Sequence, residues 1–168
     1  MPVELSIAYN ANKGEVSTSK IGVGMQTNYI LYIHYDSVLA ENGYKYYFND
    51  ADGTKHWLKK ETENNKTIYK DEDGLGYTLT EISKGSISTA PDAVFEMVDK
   101  DENKMYFDWW GNLVQLKNPT GVTSSLTYTD AGGDRRLETI TDGAGRIYTF
   151  SYASSESRQV SKITDPAG

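Results

Sequence analysis

The chain contains no cysteine, which excludes a disulfide framework, thiol catalysis and any zinc site built on cysteine. No apolar run approaches the roughly 18 residues needed to span a membrane, and no secretory signal peptide is recognisable after Met1. A missing signal says little about a piece of a longer protein. The lack of cysteine suits a secreted or cell-surface protein held together by packing alone, and it suits many cytosolic proteins as well.

Positive charge and histidine are also scarce. The net charge of −7 opposes binding to a phosphate backbone, so we expect no nucleic-acid partner. The two histidines, His34 and His56, lie in separate segments, and no serine has the surroundings of a catalytic nucleophile. Acidic residues are numerous, but nothing singles out two of them as a glycosidase pair. The sequence therefore predicts no enzyme, no cofactor, no metal and no insertion into a membrane.

What the chain does contain is an alternation of apolar and polar residues with a period of two, which is typical of half-buried β-strands. The apolar members of the clearest examples are Val3, Leu5, Ile7 and Tyr9; Tyr44, Tyr46 and Phe48; Met105, Phe107 and Trp109; and Tyr148, Phe150 and Tyr152. Tyrosine, present 13 times, favours such surfaces. No segment offers a convincing helical face. The sequence therefore predicts an all-β fold.

Related turns separate these strands. Each begins with Asp or Asn, whose side chain can accept hydrogen bonds from its own backbone, and ends with Gly or Asn, which tolerate a positive φ. The turns occupy residues 50–53, 71–74, 99–103, 118–121, 142–145 and 165–168. They recur about every 20 to 30 residues, a spacing typical of repeat arrays.

The best repeat register aligns Gly121 with Gly145, which places Leu126 over Phe150 and Tyr128 over Tyr152. Each unit is then a strand, a turn, a strand and a return, and neighbouring units must stack because one hairpin cannot bury its apolar face. We expect an antiparallel sheet of stacked β-hairpin repeats, curved or solenoid-like. Residues 1–98 form a divergent N-terminal region that leads into the array. Residues 99–168 hold the regular repeats, and the last of these is truncated within a repeat.

Two stretches resemble a known family. The sequence G-R-I-Y-T-F-S-Y at residues 145–152, followed by I-T-D-P-A-G at residues 163–168, resembles the YD repeat of Rhs proteins. The sequence G-V-G-M at residues 22–25 stands where family members often have G-x-G-W, with Met25 in place of the tryptophan. Ala153 follows Tyr152, so the Tyr-Asp dipeptide itself is absent and the frame of turn and alternation carries the resemblance.

This resemblance implies a bacterial protein that is secreted or associated with the cell surface or cell wall. Its repeats would wind into a β-shell that encloses a C-terminal toxin encoded on the same chain. The segment would be part of that wall, and its partners would be the neighbouring repeats and the enclosed toxin. The residues expected to matter are conformational: Gly53, Gly74, Gly121, Asp142, Gly145, Asp165, Pro166 and Gly168.

A carbohydrate-binding or adhesive module is the alternative. Trp57, Trp109 and Trp110 could stack on the sugar rings of cell-surface glycans if they lie on an exposed sheet face. In a strand, the neighbours Trp109 and Trp110 would face opposite sides, so one of them would be in the core. Sheet packing is the simpler role for all three.

Calcium is a second alternative, at the pairs Asp50/Asp52 and Asp71/Asp73. Their simpler role is to cap the backbone of their own turns. A third acidic loop, at residues 99–103, begins like an EF-hand loop, but Lys104 stands where that loop requires glycine. The predicted set of metal ligands is therefore empty.

The stretch K-I-T-D-P-A-G at residues 162–168 begins a repeat that does not continue in this sequence. A strand that has lost its neighbour exposes unpaired N–H and C=O groups. We therefore expect self-association through the C-terminal sheet edge.

Overall fold

The structure, a computed structural model, describes residues 5–9, 21, 25–157 and 159–168. Within these residues it contains fourteen β-strands and one short 3-10 helix, Ala40–Asn42, and it has no helix with the length and apolar character of a membrane span. The predicted class, an all-β antiparallel sheet of successive hairpins, is confirmed. Two sequence features, Val3 in the first alternating stretch and residues 22–24 of the G-V-G-M motif, lie outside the described residues.

The chain divides into two compact units. Unit 1 comprises Met1–Ile30 and Ser124–Gly168, and unit 2 comprises Leu31–Thr123. The predicted division at residue 98 concerns the regularity of the repeats rather than compactness, and it stays a prediction.

Unit 2 contains eight strands, each paired antiparallel with the next along the chain. They are β3 (Tyr32–Tyr35), β4 (Tyr46–Asn49), β5 (Lys55–Glu63), β6 (Lys66–Asp71), β7 (Thr78–Glu81), β8 (Phe95–Val98), β9 (Lys104–Phe107) and β10 (Leu113–Lys117). Their order in the sheet is therefore their order in the sequence. Five of the seven connections are short and local, which is what the turn residues encode, and the β3–β4 and β7–β8 connections are longer loops.

The first strand of unit 2 also meets the start of the last. Tyr32 forms an antiparallel bridge with Asn112. On either side of this bridge, the Ile33 N–H donates to the Gly111 carbonyl at 2.9 Å, and the Leu113 N–H donates to the Leu31 carbonyl at 3.3 Å. We call this junction of residues 31–33 with residues 111–113 the β3–β10 closure. Because of it, the sheet of unit 2 curves back on itself.

Aromatic contacts inside unit 2 show the same curvature. The rings of Tyr46 in β4 and Phe95 in β8 meet edge to face, with centroids 5.3 Å apart. In a flat sheet, strands four positions apart would be separated by about 20 Å. Phe48 likewise meets Phe107 of β9 at 6.3 Å, and both side chains are almost completely buried. The core is therefore the concave side of a rolled sheet, filled by the inward members of the alternating pattern.

The outer side of unit 2 carries a second, smaller apolar cluster. The long loop between β7 and β8 packs Ala90 and Ala93 against Tyr106. Buried Gln115 fixes this loop, because its amide donates to the Thr89 carbonyl at 2.8 Å and its oxygen accepts from the Thr89 hydroxyl at 3.0 Å. A loop that covers a sheet face needs such polar anchors because its own backbone groups have no ladder to join.

Unit 1 contains the remaining strands. The antiparallel pair of β1 (Ile7–Tyr9) and β2 (Met25–Thr27) accompanies four strands paired in chain order: β11 (Thr123–Ala131), β12 (Asp134–Thr141), β13 (Ile147–Tyr152) and β14 (Val160–Thr164). The core of the four strands contains Leu126, Leu137, Ile140 and Phe150, which are at most 4% exposed. Among the described residues, β14 is the outermost strand of unit 1.

Two successive repeats in unit 1 share one irregularity. The pairing of β11 with β12 shifts between Thr127 and Tyr128, and the pairing of β13 with β14 shifts between Ser151 and Tyr152. These β-bulges fall at equivalent positions when Gly121 is aligned with Gly145. Bulges are specific features that re-aim side chains, so their recurrence supports the repeat register derived from the sequence.

Candidate functional site

One hydrogen-bonded turn recurs throughout the chain. Its first residue donates its N–H to the carbonyl of the fifth, its carbonyl accepts from the N–H of the fourth, and its side-chain oxygen accepts from the N–H of the fifth. This full pattern begins at Asp50, Asp99, Asp108, Asn118 and Asp142. The first residue thus satisfies the backbone of its own turn, a behaviour characteristic of Asp and Asn.

The fourth residue of each turn adopts the left-handed conformation. Its φ is 84° at Gly53, 88° at Gly121 and 78° at Gly145. The longer loop after β6 has Gly74 at 78°, and the C-terminal turn that begins at Asp165 has Gly168 at 103°. Pro166, the second residue of that turn, is exposed. In the turn that begins at Asp99, the left-handed residue is Glu102 (φ 61°) and not Asn103, the closing residue that the sequence predicts.

Glu102 therefore occupies a position that elsewhere belongs to glycine. A side chain in the left-handed region costs about 1–2 kcal/mol relative to glycine. We expect Glu102→Gly to raise the free energy of unfolding by about 0.5–1 kcal/mol. This gain is smaller than the strain that is relieved, because glycine has more conformational entropy in the unfolded state and that entropy is lost on folding. Urea denaturation would measure it, with Glu96→Gly as a control in the adjacent strand, where glycine should destabilise. A lower urea midpoint for Glu102→Gly would contradict this account of the turn.

The turn of residues 142–146 adds an ion pair to this pattern. Asp142 is 4% exposed, and its Oδ2 accepts from both Nε and a terminal nitrogen of Arg146 at 2.7 Å. Burial raises the pKa of Asp142, but hydrogen bonds from the Arg146 backbone and guanidinium and from Ala144 outweigh it, so the pKa is lowered overall. The arginine of the G-R motif is thus the partner of the aspartate that begins the turn.

This lowered pKa predicts an acid-sensitive contribution to stability. The contribution is present above the unfolded-state pKa of about 3.9 and is lost as the pH falls through the lower folded-state value. Asp142→Asn keeps an acceptor for the backbone and loses the charge, so we expect a flatter fall in the urea midpoint between pH 5 and pH 2. Asp165→Asn, in an exposed turn, is the control. An unchanged acid profile in Asp142→Asn would contradict the role of the ion pair.

Trp109 and Trp110 lie in the turn between β9 and β10, not in a strand. Both side chains are exposed, at 79% and 68%. The expectation that one of them would be in the core is therefore wrong. The reason is local: Asp108 and Gly111 are the first and fourth residues of the recurring turn, and the two tryptophans fill its middle positions.

The tip that carries these tryptophans is held firmly. Asp108 and Asn112 are 3% and 2% exposed, and the Asp108 carboxylate accepts from the backbone and side chain of Asn112. Gly111 has a φ of 77°, and a Cβ built on it would lie 1.9 Å from the Ile33 carbonyl oxygen. The turn is thus bonded to β3, and two large aromatic side chains project from a rigid support.

Trp57, the third candidate for sugar stacking, has a different environment. It lies in β5, is half-buried, and meets the ring of buried Tyr47 edge to face at 5.0 Å. The structure therefore does not bring Trp57 into the turn with the other two. Only Trp109 and Trp110 among the three predicted residues offer most of their surface to solvent.

Alternate turns of unit 2 lie at the same end of the sheet, because successive strands run in opposite directions. The turns after β4, β6 and β8 contribute acidic residues that we call the acidic end: Asp50, Asp52, Asp71, Glu72, Asp73, Asp99, Asp101 and Glu102. Burial and, after it, the charges of Asp50, Asp99 and Asp71 raise the pKa of Tyr77. The pKa of the Tyr77 phenol is therefore raised by carboxylates from three separate turns.

His56 lies buried within the acidic end, which sequence reasoning missed. Its Nε2 is 2.9 Å from Asp50 Oδ2 and its Nδ1 is 2.8 Å from Asp73 Oδ2. His56 is 6% exposed, and its imidazole packs beside the rings of Phe48 and Tyr77, which also contact each other. The two aspartates are 23 residues apart in the sequence, and the pairing of β4, β5 and β6 brings them to one histidine.

The aspartates considered for calcium have other roles in the structure. Asp50 Oδ1 accepts from the N–H groups of Asp52 and Thr54, and Asp71 Oδ2 accepts from the N–H of Leu75. Among the described residues, no group of three or more acidic, histidine or cysteine side chains has a geometry suited to a metal ion. The self-capping role is the one that the hydrogen bonds support.

Glu81 is the centre of a second polar cluster in unit 2. Its Oε1 accepts from Lys45 Nζ at 2.8 Å and from the hydroxyls of Tyr46 at 2.8 Å and Tyr69 at 3.1 Å. Burial raises the pKa of Glu81, but these donors outweigh it and lower the pKa overall. Burial also raises the pKa of Tyr46 to about 12. Because three donors already occupy this carboxylate, it is poorly placed to accept a further proton. Its bonds to Tyr46 and Tyr69 instead cross-link β4, β6 and β7.

Comparison with known proteins adds no family to this description. A scan against protein-family models finds no match for the chain, and a search of curated proteins finds no relative.

Proposed function

We propose that the chain is a structural segment of a secreted or cell-surface bacterial protein of the Rhs/YD-repeat type. In this proposal its hairpins form part of a β-shell that encloses a C-terminal effector or toxin and helps to deliver it. The neighbouring repeats of the parent chain, and the enclosed effector, are its partners. The segment itself performs no catalysis.

The observation that carries the proposal is the repeat itself. The turns that begin at Asn118 and Asp142 have the same hydrogen bonds, and a β-bulge precedes Tyr128 and Tyr152 alike. Arg135 and Arg136, which are neighbours in β12, lie over the rings of Tyr128 and Tyr152 respectively. A wall needs units that satisfy their own polar groups and expose backbone only to the next unit, and these turns do so.

The coding sequence around this segment provides the decisive test. We expect it to encode further hairpins with the Asp-x-x-Gly turn on both sides, and a C-terminal segment of unrelated composition. In the intact parent protein, limited proteolysis should leave that C-terminal segment uncut until the repeats are cleaved. Flanking sequence without such repeats, or a C-terminal segment as sensitive as a free polypeptide, would overturn the proposal.

A carbohydrate-binding or adhesive role is the second candidate, and one observation favours it. Trp109 and Trp110 project from a rigid turn with most of their surface exposed. Tryptophan presents a flat apolar face of the kind that stacks on sugar rings.

A glycan array separates the two functions. Under the shell proposal, the purified chain gives a blank array. Under the adhesive alternative, it gives reproducible signals that disappear in the double variant Trp109→Ala/Trp110→Ala. Signals that persist in the double variant would contradict both the shell proposal and the role of these tryptophans.

The outermost strand of unit 1 suggests a further partner, a second copy of the chain. The Val160 N–H, at the start of β14, donates to the Ile21 carbonyl at 2.9 Å. Within the described residues, no strand pairs with β14 on the side away from β13. We expect dimers that strengthen with salt, because the net charge of −7 opposes the encounter. Sedimentation velocity over a hundredfold concentration range would test it, and a monomer throughout would contradict edge pairing.

A further inference from the structure

The ring of His56 lies between two carboxylates of the acidic end, those of Asp50 and Asp73. A neutral imidazole carries one N–H and can donate to one aspartate, whereas the protonated ring donates to both. With Asp50 and Asp73 both within 2.9 Å of a ring nitrogen, the arrangement is that of an imidazolium ion. We propose that protonated His56 is a pH-operated clasp that joins the β4–β5 turn to the β6–β7 loop, and that loss of its proton releases the loop.

The groups packed around His56 act on its proton in opposite directions, because apolar burial disfavours the charged ring and carboxylates favour it. Phe48 of β4 and Tyr77, at the end of the β6–β7 loop, cover the ring and exclude water, while Asp50 and Asp73 approach its two nitrogens. Burial lowers the pKa of His56, but the hydrogen bonds and charges of the two aspartates outweigh it and raise the pKa overall. Asp71 at the start of the β6–β7 loop and Asp99 of the β8–β9 turn act on neighbouring Tyr77.

The sign of the pH effect follows from this raised pKa. The stabilisation is fully present below the unfolded-state pKa of about 6.5, and it is lost as the pH rises through the higher folded-state value. Above that value the buried ring can hold one aspartate only, and a carboxylate loses its counter-charge. Each unit by which the folded-state pKa exceeds the unfolded-state pKa changes the clasp equilibrium about tenfold.

The β6–β7 loop is the element that such a release would free. It contains Gly74 and Gly76, with φ of 78° and 81°, and its Leu75 is 40% exposed. The loop is also held by Asp71, which accepts from the N–H groups of Leu75 and Tyr77, and by Glu72, which accepts from the Tyr44 hydroxyl and from Lys59 Nζ. Loops with few buried contacts open at low free-energy cost. The clasp is independent of whether the chain serves as a shell wall or an adhesin.

Amide hydrogen exchange provides the test. In the wild type, we expect the Leu75 and Thr54 amides to be protected at pH 6 and at least tenfold less protected at pH 9, after correction for the intrinsic pH dependence of exchange. Amides of β12 in unit 1 should keep their protection over the same range. Equal corrected protection of Leu75 at both pH values, or a parallel loss in β12, would overturn the proposal.

Two variants and one spectroscopic readout sharpen this test. His56→Gln should show low protection of Leu75 that does not change with pH. His34→Gln is the matched control because His34 is exposed, and it should behave as the wild type. If His56→Gln fails to fold, the nitrogen chemical shifts of His56 in the wild type still decide the matter. Both ring nitrogens should be protonated at pH 7, and a single neutral tautomer at that pH would overturn the clasp.

Discussion

Gly111→Ala is expected to lower the free energy of unfolding by about 4 kcal/mol. The left-handed φ of 77° accounts for about 1–2 kcal/mol of that loss. The remainder arises because the new Cβ would lie 1.9 Å from the Ile33 carbonyl oxygen. That oxygen belongs to backbone and cannot move away without breaking the β3–β10 closure, whose two hydrogen bonds each contribute about 1 kcal/mol.

Gly145→Ala is the matched control. Gly145 has a φ of 78°, almost the same as Gly111, but nothing lies within 4 Å of a Cβ built there. This variant should lose only the conformational part, about 1–2 kcal/mol. Urea denaturation of both variants would measure the difference. Equal urea midpoints would mean that the close approach of Gly111 to β3 does not contribute to stability.

Phe107→Ala is expected to destabilise the protein by about 3–5 kcal/mol, the usual range for a buried phenylalanine. Phe107 is 0% exposed and meets Phe48 across the concave side of unit 2. Its removal leaves a cavity that the rolled sheet cannot close, because the neighbouring strands are fixed by their ladders. Thermal and urea denaturation would measure the loss.

Trp109→Ala provides the contrast within the same hairpin. This larger side chain lies two residues further along the chain, but it is 79% exposed, so its removal should change stability by no more than about 0.5 kcal/mol. A double variant Phe48→Ala/Phe107→Ala should lose less than the sum of the two single losses, because both side chains face one cavity. Strict additivity, or a large effect of Trp109→Ala, would contradict the placement of these rings.

The local features of the fold could be predicted from the sequence. Alternation indicated the strands, and Asp or Asn followed three residues later by Gly indicated the turns, because both signals arise within a few residues. The same turn signal is present at Asp108 and Gly111, but the alternation of Met105 and Phe107 continues into Trp109 in the sequence and obscures it. The Asp-x-x-Gly pattern alone predicts both tryptophans at the tip.

The long-range features could not be predicted in this way. The clasp depends on which turns share one end of the sheet, and His56 is separated from Asp73 by a complete hairpin. The β3–β10 closure joins residues about 80 positions apart, and nothing in the local sequence of Tyr32 or Asn112 specifies the partner. Such contacts depend on how far the sheet curls, which the summed packing of the whole core decides.

The β3–β10 closure also means that the chain termini of unit 2 could be moved to another connection. Since Leu31 and Leu113 are hydrogen-bonded, a linker of about six residues could span from the end of β10 back to the start of β3. New termini could then be placed between Asn64 and Asn65, at the exposed tip of the β5–β6 hairpin. A circular permutant of residues 31–117 would keep every strand pairing described for unit 2. It would lose only the peptide bond at that tip. The order of the strands around unit 2 would then be cyclic. The packing of the strands would not specify which of them comes first in the sequence.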